Sequence, residues 1–340
     1  MTYAQTREET IAPMITAIIP VHNASGFLEH CLESLATSDC PHDCIVVNDG
    51  STDTSEIIAS RFPTRVLNLR GGPFGPAYAR NRGAEVARGS ILFFVDSDVV
   101  LAPGGLRLVA KVFQEHSDLA AVFGSYDAQP KASGVVSQYR NLLHHFVHQN
   151  GNSEASTFWA GCGAIRRSVF EEIGGFDETR FRRPSIEDIE LGYRLRRAGH
   201  RILLDKSLQG THLKQWTLLS FVRTDIVYRA IPWSRLILET KNLPNDLNLK
   251  WDQRASFALA AFALVFLALG MIHIQSLAIA AAGLLGVLVL NRRIYVFFFR
   301  QRGLFFALAC VPLHILYYLY SGLSYLYVRT GFVLRNLVSF

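Results

Sequence analysis

The last quarter of the sequence lacks Asp, Glu and Lys altogether: between residues 255 and 340 the only formal charges are six arginines. Charged residues make up only 18% of the chain against 50% apolar ones, and the formal net charge of +6 resides wholly in that charge-poor segment. The first 254 residues carry 28 basic and 28 acidic side chains, the balance of an ordinary soluble domain. The basic excess is therefore no argument for a nucleic-acid partner, and arginines flanking apolar runs suit a membrane surface. Cysteine is scarce and unpatterned. Five residues (Cys31, Cys40, Cys44, Cys162, Cys310) without paired metal-ligand spacing exclude a disulfide framework or a zinc ribbon and read as reduced, structural thiols. A secretory leader is not evident either. MTYAQTREETIAPM is polar and acidic, and the first apolar run, 15–19, is too short for a signal h-region, so the first domain is expected in the cytoplasm.

Residues 255–290 are 36 consecutive uncharged positions, about 54 Å as one helix at roughly 1.5 Å per residue, against a hydrocarbon core of about 30 Å. One straight span cannot hold them. The softest point, MIHIQS (271–276), predicts two short spans, about 255–272 and 276–290, joined by a tight turn. A second uncharged run, 303–328, carries Pro312 and five tyrosines, and either crosses or re-enters. Arg292, Arg293, Arg300 and Arg302 flank IYVFFF between the runs, and a hairpin returns this loop to the side of the first domain. The positive-inside rule then predicts a multi-pass inner (plasma) membrane protein with a cytoplasmic domain. A connecting region, 214–254, repeats Trp216, Leu219, Val222, Ile226, Ala230 and Trp233 at helical steps. Such a helix lies on the bilayer or packs on the domain's own core.

Residues 1–213 alternate strand and helix. ITAIIPV (15–21), 44–49, 65–69 and ILFFV (91–95) read as strands, and 26–38, 53–61 and 77–88 as helices. Short connections imply an α/β fold with helices on both faces of the sheet, whose ligands gather at the carboxyl ends of strands. PVHN (20–23), NDGS (48–51) and DSD (96–98) all occupy such ends. Taken singly each has a plain structural explanation. NDGSTD is a turn and helix cap; GGPFGPAYARNRG (71–83) is a Gly/Pro loop in which Arg80 and Arg82 can serve phosphates; DSD after an apolar strand also opens haloacid-dehalogenase-type phosphatases.

The ordered set PVHN, NDGSTD, ARNRGAEVARG (79–89), DSD, AGCGAIRRSVFEEIGGFDE (160–178) and EDIELGYRLRRAG (187–199) resembles the family 2 glycosyltransferases with a GT-A fold. The resemblance covers about 15–212 and implies a mixed, mainly parallel sheet followed by an all-α transmembrane region. It implies that Asp98 binds Mg²⁺ or Mn²⁺, with Asp96 on metal or ribose and His212 completing the metal site. It places Asp49 and Gly50 at the nucleotide base near Pro20, Val21 and His22, and Arg80 at the nucleotide or diphosphate. Gly161 and Gly163, with Glu187, belong to a loop beside donor and acceptor, where Trp159 can stack on a sugar. Asp188 is the catalytic base of an inverting displacement.

A hard cation held by carboxylates suits a diphosphate leaving group. The resemblance favours a UDP-sugar donor, although Asn48 stands where most relatives carry a second Asp. The membrane runs point to a lipid-linked or membrane-proximal acceptor, and QGTHLKQW lacks the QxxRW pattern of processive synthases, which favours addition of a single sugar. A polyprenyl-phosphate acceptor, a phosphatase and a non-catalytic scaffold are the rival readings.

Overall fold

The computed structural model describes residues 14–338, so the polar stretch 1–13 lies outside the described residues. Three strand–helix units and a fourth strand open the described chain: β1 (Ile15–Val21), α1 (Leu28–Ala36), β2 (His42–Asn48), α2 (Ser55–Ala59), β3 (Arg65–Asn68), α3 (Pro76–Val86) and β4 (Ile91–Val95). Every residue of β4 is buried because both faces of the strand are covered. Ile91, Phe93 and Val95 enter one core layer, while Leu92 and Phe94 enter the other, the two-residue alternation of a pleated strand. Each such side chain contributes roughly 1.5–3 kcal/mol of burial. Helices α1 and α2 are each four residues shorter than the sequence reading and α3 one residue shorter, and β2 starts earlier because His42 pairs with Ile15.

The chain continues through β5 (Val99–Leu101), α4 (Gly105–Glu115), β6 (Leu119–Tyr126), α5 (Val135–Gln149), β7 (Cys162–Arg166), α6 (Arg167–Glu172), α7 (Glu187–Arg197) and β8 (Arg201–His212). All eight strands form one sheet in the order β3-β2-β1-β4-β7-β6-β8-β5. Pairs β1–β2, β1–β4, β2–β3 and β6–β8 are parallel, and β4–β7, β6–β7 and β5–β8 are antiparallel. The mixed, mainly parallel sheet expected from the sequence is present. Helices α1 and α4 cover one face through Leu28, Leu32, Val109 and Phe113; α3 and α7 cover the other through Ala77, Ala84, Leu191 and Leu195.

Beyond the sheet, α8 (Leu218–Thr224), a π-helical stretch Asp225–Ala230 and α9 (Ile231–Thr240) follow without a break. Thr217 and Ser220 cap α8 reciprocally. The apolar stripe read from the sequence is not the buried face throughout: Leu219 is 78% exposed, whereas Phe221, Asp225, Leu236 and Ile237 are buried. A wider π turn rotates the buried face relative to a uniform 3.6-residue repeat.

Helices α10 (Trp251–Leu269) and α13 (Leu304–Val338) are long and apolar enough to cross a membrane. Between them α11 (Ser276–Leu290) meets α12 (Arg292–Arg302) at a 68° bend, and the pair forms a third span only if counted together. Glycine at 283 lets α11 approach α10, since a Cβ there stands 3.1 Å from Ala263. The second uncharged run is one 35-residue helix, uninterrupted at Pro312. The arginine-flanked IYVFFF segment is the short helix α12, whose Ile294 and Phe298 pack with Tyr139 and Leu142 of α5. Arg302 Nε donates to Gln138 Oε1 at 3.0 Å, tying the same loop to the sheet domain.

Candidate active site

Three carboxyl ends of neighbouring parallel strands, β1, β2 and β4, carry PVHN, NDGS and DSD, and the pairing brings them together. Asp49 N donates to Val21 O at 2.8 Å, and the His22 ring donates from Nδ1 to Asp49 O at 2.8 Å. The Asp49 carboxylate is 3% exposed and accepts the backbone N–H of Phe74 at 2.9 Å and of Gly75 at 2.7 Å. It therefore braces the loop ahead of α3 as well as lining the cavity described below. Gly50 serves the turn: its φ is +68°, and a Cβ would stand 3.0 Å from the Gly72 backbone. Asn48 is buried, donating to Asn68 Oδ1 at 2.8 Å and accepting from Ser51 N at 3.0 Å. A carboxylate there has no proton to donate to Asn68, so the departure from two aspartates fits its surroundings.

The acidic pair divides its work. After β4 the chain turns, with Val99 N donating to Asp96 O at 3.0 Å, and enters β5, where Val99 pairs with His212. That register sets His212 Nε2 3.5 Å from Asp98 Oδ2, while the imidazole stacks on Tyr126 at 4.3 Å. Burial raises the Asp98 carboxyl, but His212 and Lys214 outweigh it and hold Asp98 below the ordinary carboxylate range. Asp96 faces Arg80. The Arg80 guanidinium, 4% exposed, donates to Asp96 Oδ1 at 2.7 Å and to Glu187 Oε1 at 2.9 Å. Burial, with the Asp98 charge, pushes Asp96 up against the opposing pull of Arg80. Arg80 is thus a clamp between DSD and the start of α7. Arg82 pairs with Glu178 and Glu85 at 3.2 and 3.1 Å.

Asp188, one residue on from Glu187, opens α7 and is only partly covered. Its Oδ2 accepts Ala160 N–H at 3.1 Å and its Oδ1 accepts Ile189 N–H at 2.8 Å, which fixes the carboxylate's direction. Burial, then repulsion from Glu187, pushes its carboxyl up to about 7. Gly161 and Gly163 stand differently from the sequence expectation. Neither lines the cavity, and a Cβ on Gly161 meets the Trp159 ring at 2.6 Å while one on Gly163 meets Trp159 O at 2.4 Å. Their missing side chains make room for Trp159, which does line the cavity and meets Tyr126 edge-on at 4.9 Å.

Among the described residues no three His, Cys, Asp or Glu side chains form a metal cage. Mg²⁺ and Mn²⁺ bound with a nucleotide need no such cage, because one or two carboxylates, phosphate oxygens and waters complete the shell. The Asp98 carboxylate, ionised and beside an imidazole, fits that use. Asp96 Oδ1 is already committed to Arg80, which leaves Asp96 at most its second oxygen.

One continuous cavity of about 1110 Å³ joins these parts to the helical region. Pro20, Asp49, Asp96 and Asp98 line it together with Asp188, and so do Phe257 of α10 and Tyr317, Tyr320 and Tyr325 of α13. The sequence reading missed two sets of residues there. One is the imidazole and aromatic cluster of Tyr126, His144 and His148 around Trp159, where His144 lies 3.9 Å from His148. Burial, then the neighbouring His148 charge, holds His144 well below its ordinary range, so it is a neutral ring. The other is Arg140 with Asp225 and Tyr320. The helical spacing of Arg140, His144 and His148 on α5 was the available signal, and it lay outside every motif.

The family model for Glycosyl transferase family 2 matches residues 16–174. Glycosyltransferase GlyA of Streptococcus pneumoniae is 33% identical over 149 residues, 42% of this chain and 21% of that protein. Validoxylamine A glucosyltransferase of Streptomyces hygroscopicus is 27% identical over 221 residues, 55% of this chain and 49% of that protein. The chain spans from 21% to 55% of the length of such curated relatives. Among solved structures, the mannosyltransferase PcManGT of Pyrobaculum calidifontis with GDP-Man and Mn²⁺ aligns at a TM-score of 0.57 and 16% identity, over 93% of this chain and 88% of that one. TarS of S. aureus with UDP-GlcNAc aligns at 0.52 and 17%, over 94% and 91%. At such identities the likeness is one of fold, the GT-A arrangement. Asp188 and His212 lie beyond the segment matched by the family, whereas Asp49, Arg80, Asp96 and Asp98 lie within it. Over residues 16–174, a little under half of the chain, the sequence matches the family model of glycosyl transferase family 2, and these relatives and folds support that family.

Proposed function

We propose that this chain is a membrane-anchored, metal-dependent, inverting glycosyltransferase that moves one sugar from a nucleoside-diphosphate donor to a hydroxyl of a lipid-linked or membrane-proximal acceptor. The observation that carries the reading is the shared cavity, which has DSD and Asp188 on its wall together with side chains of α10 and α13. The solved relatives with GDP-Man or UDP-GlcNAc support a nucleotide-sugar donor. In this reading the nucleotide lies at the ends of β1, β2 and β4, and the domain faces the cytoplasm.

Asp188 takes the proton of the acceptor hydroxyl as its oxygen attacks the anomeric carbon. A new carbon–oxygen bond forms, the bond to the diphosphate oxygen breaks, and the leaving diphosphate keeps the electron pair. Attack from the opposite side inverts the configuration. Asp98, with His212 and Asp96 beside it, would hold a divalent ion, and such an ion would neutralise the diphosphate charge. Arg80 contributes indirectly by holding Asp96 and Glu187 in place.

Two tests follow from these assignments. Full-length protein in lipid nanodiscs, given a panel of nucleotide sugars with Mn²⁺, should release nucleotide from at least one donor. Chelation by EDTA or the change Asp98→Ala should lower that release at least about 100-fold; turnover of Asp98→Ala at the wild-type rate refutes the metal assignment. Because burial and Glu187 push Asp188 up to about 7, the base is protonated below that pH and free above it. The pH profile of kcat/KM should therefore rise through about pH 7 and level off above it. A rising limb near pH 4, the range of an exposed carboxylate, excludes Asp188 in this state as the base.

A further inference from the structure

The cavity has a second charged end that the donor chemistry does not use. Arg140 of α5 is 8% exposed, and its Nη1 donates to Asp225 Oδ1 at 2.6 Å. Its Nη2 is buried and has no hydrogen-bond partner among the described residues. The guanidinium lies over the rings of Trp216 at 4.4 Å and Phe221 at 5.1 Å, which hold its plane. Asp225 opens the π-helical stretch and accepts Tyr320 OH from α13 at 2.6 Å. Arg229, one turn on, stands 3.9 Å from the same carboxylate and keeps about half of its side chain accessible. Lys214 lies 4.6 Å over Trp216. All three cations line the cavity; Asp225 is the carboxylate within ion-pair distance of both Arg140 and Arg229, which leaves that group one positive charge in excess, and Lys214 adds a charge that it shares with Asp98.

Position gives these charges a meaning. Asp188 lines the same cavity as both groups and interacts electrostatically with Arg80 on the donor side and with Arg229 on this side. Tyr320 ties the cluster to a helix long enough to cross a membrane. With Nη1 committed to Asp225, the buried Nη2 N–H of Arg140 is left for an acceptor from a ligand, and the planar guanidinium fork matches phosphate oxygens. We propose that Arg140, Arg229 and Lys214 form an anion site for the phosphate or diphosphate that joins the acceptor to its lipid. This deepens, and rests on, the glycosyltransferase reading: the acceptor sugar's hydroxyl reaches Asp188 while its lipid phosphate is held here and its chain runs beside α10 and α13.

The test is binding, measured by calorimetry on the full chain in phosphatidylcholine nanodiscs, with the donor end filled by saturating UDP or GDP and Mn²⁺. Farnesyl diphosphate should bind at least about 10-fold more tightly than farnesol or inorganic pyrophosphate. Arg229→Gln should weaken it about 10- to 100-fold, the loss of one charged hydrogen bond, while nucleotide affinity stays within about 2-fold. Arg140→Gln should weaken it further, and Arg229→Gln decides the matter if that variant fails to fold. Equal binding of farnesol, or an unchanged Kd in Arg229→Gln, overturns the site. Equal binding of pyrophosphate makes it a site for free phosphate, and loss of binding in phosphatidylglycerol nanodiscs makes it a headgroup site; either result overturns the acceptor assignment. Parallel weakening of nucleotide returns these residues to the donor. Failure of every nucleotide sugar to turn over sinks the glycosyltransferase reading separately, whatever the lipid binding.

Discussion

Replacing Asp188 with Asn is expected to lower kcat about 10²- to 10⁴-fold, the range a positioned general base contributes, with donor KM nearly unchanged. The side chain keeps its shape and loses its capacity to take a proton. The carboxylate accepts two backbone N–H groups, from Ala160 and Ile189, and an amide can accept only one of them through its oxygen. The amide NH₂ then opposes the other N–H, at a local cost of roughly 1–3 kcal/mol, so thermal unfolding must be followed beside activity. A variant that keeps most of its Tm and loses the limb near pH 7 along with its rate fits a base. The same variant separates acceptor chemistries: a hydroxyl needs deprotonation, whereas a phosphate nucleophile is already anionic. Near-normal transfer by Asp188→Asn therefore refutes the hydroxyl mechanism.

How far the sequence reached depends on the range of the contacts concerned. β4 was legible because a run of five buried residues has one cause, cover on both faces, and that cause is local. The convergence of PVHN, NDGS and DSD was legible because parallel strands put their carboxyl ends on one edge. The partner of Arg80 was not, since Glu187 stands 107 residues away and no local pattern announces a clamp between two motifs. Arg140 and Asp225, 85 residues apart, escaped for the same reason. Gly161 and Gly163 show a further limit. A missing side chain signals that something approaches closely, but only the folded chain reveals that the neighbour is Trp159 rather than a ligand. The π turn before α9 was equally invisible, since no local pattern in Asp225–Ala230 announces it, and α8 ahead of it buries Phe221 rather than Leu219 of the expected stripe.

Arg80→Met is expected to be the most damaging single change in the sheet domain. It removes one buried cation from between two carboxylates and leaves Asp96 and Glu187 facing each other, with the Glu187 side chain only 6% exposed. Breaking a buried pair on one side costs about 3–5 kcal/mol, which for a domain of this size corresponds to a Tm lower by roughly 6–20 °C. The deficit should depend on pH in a defined direction. Asp96 already sits above its ordinary value in the folded protein, through burial and the Asp98 charge, and without Arg80 it rises further. A carboxyl raised on folding binds its proton more tightly in the native state, so the penalty is full at neutral pH. It shrinks as pH falls through the raised value toward about 4, where the unfolded chain is protonated as well. Thermal melts of wild type and Arg80→Met should accordingly converge between about pH 7 and pH 4. Arg80→Lys, which keeps the charge and loses the fork, should fall between the two at neutral pH. A Tm for Arg80→Met within about 2 °C of wild type at pH 7 means that water or a shifted side chain replaces the guanidinium, and the clamp between DSD and α7 is then not what holds the acidic pair in place.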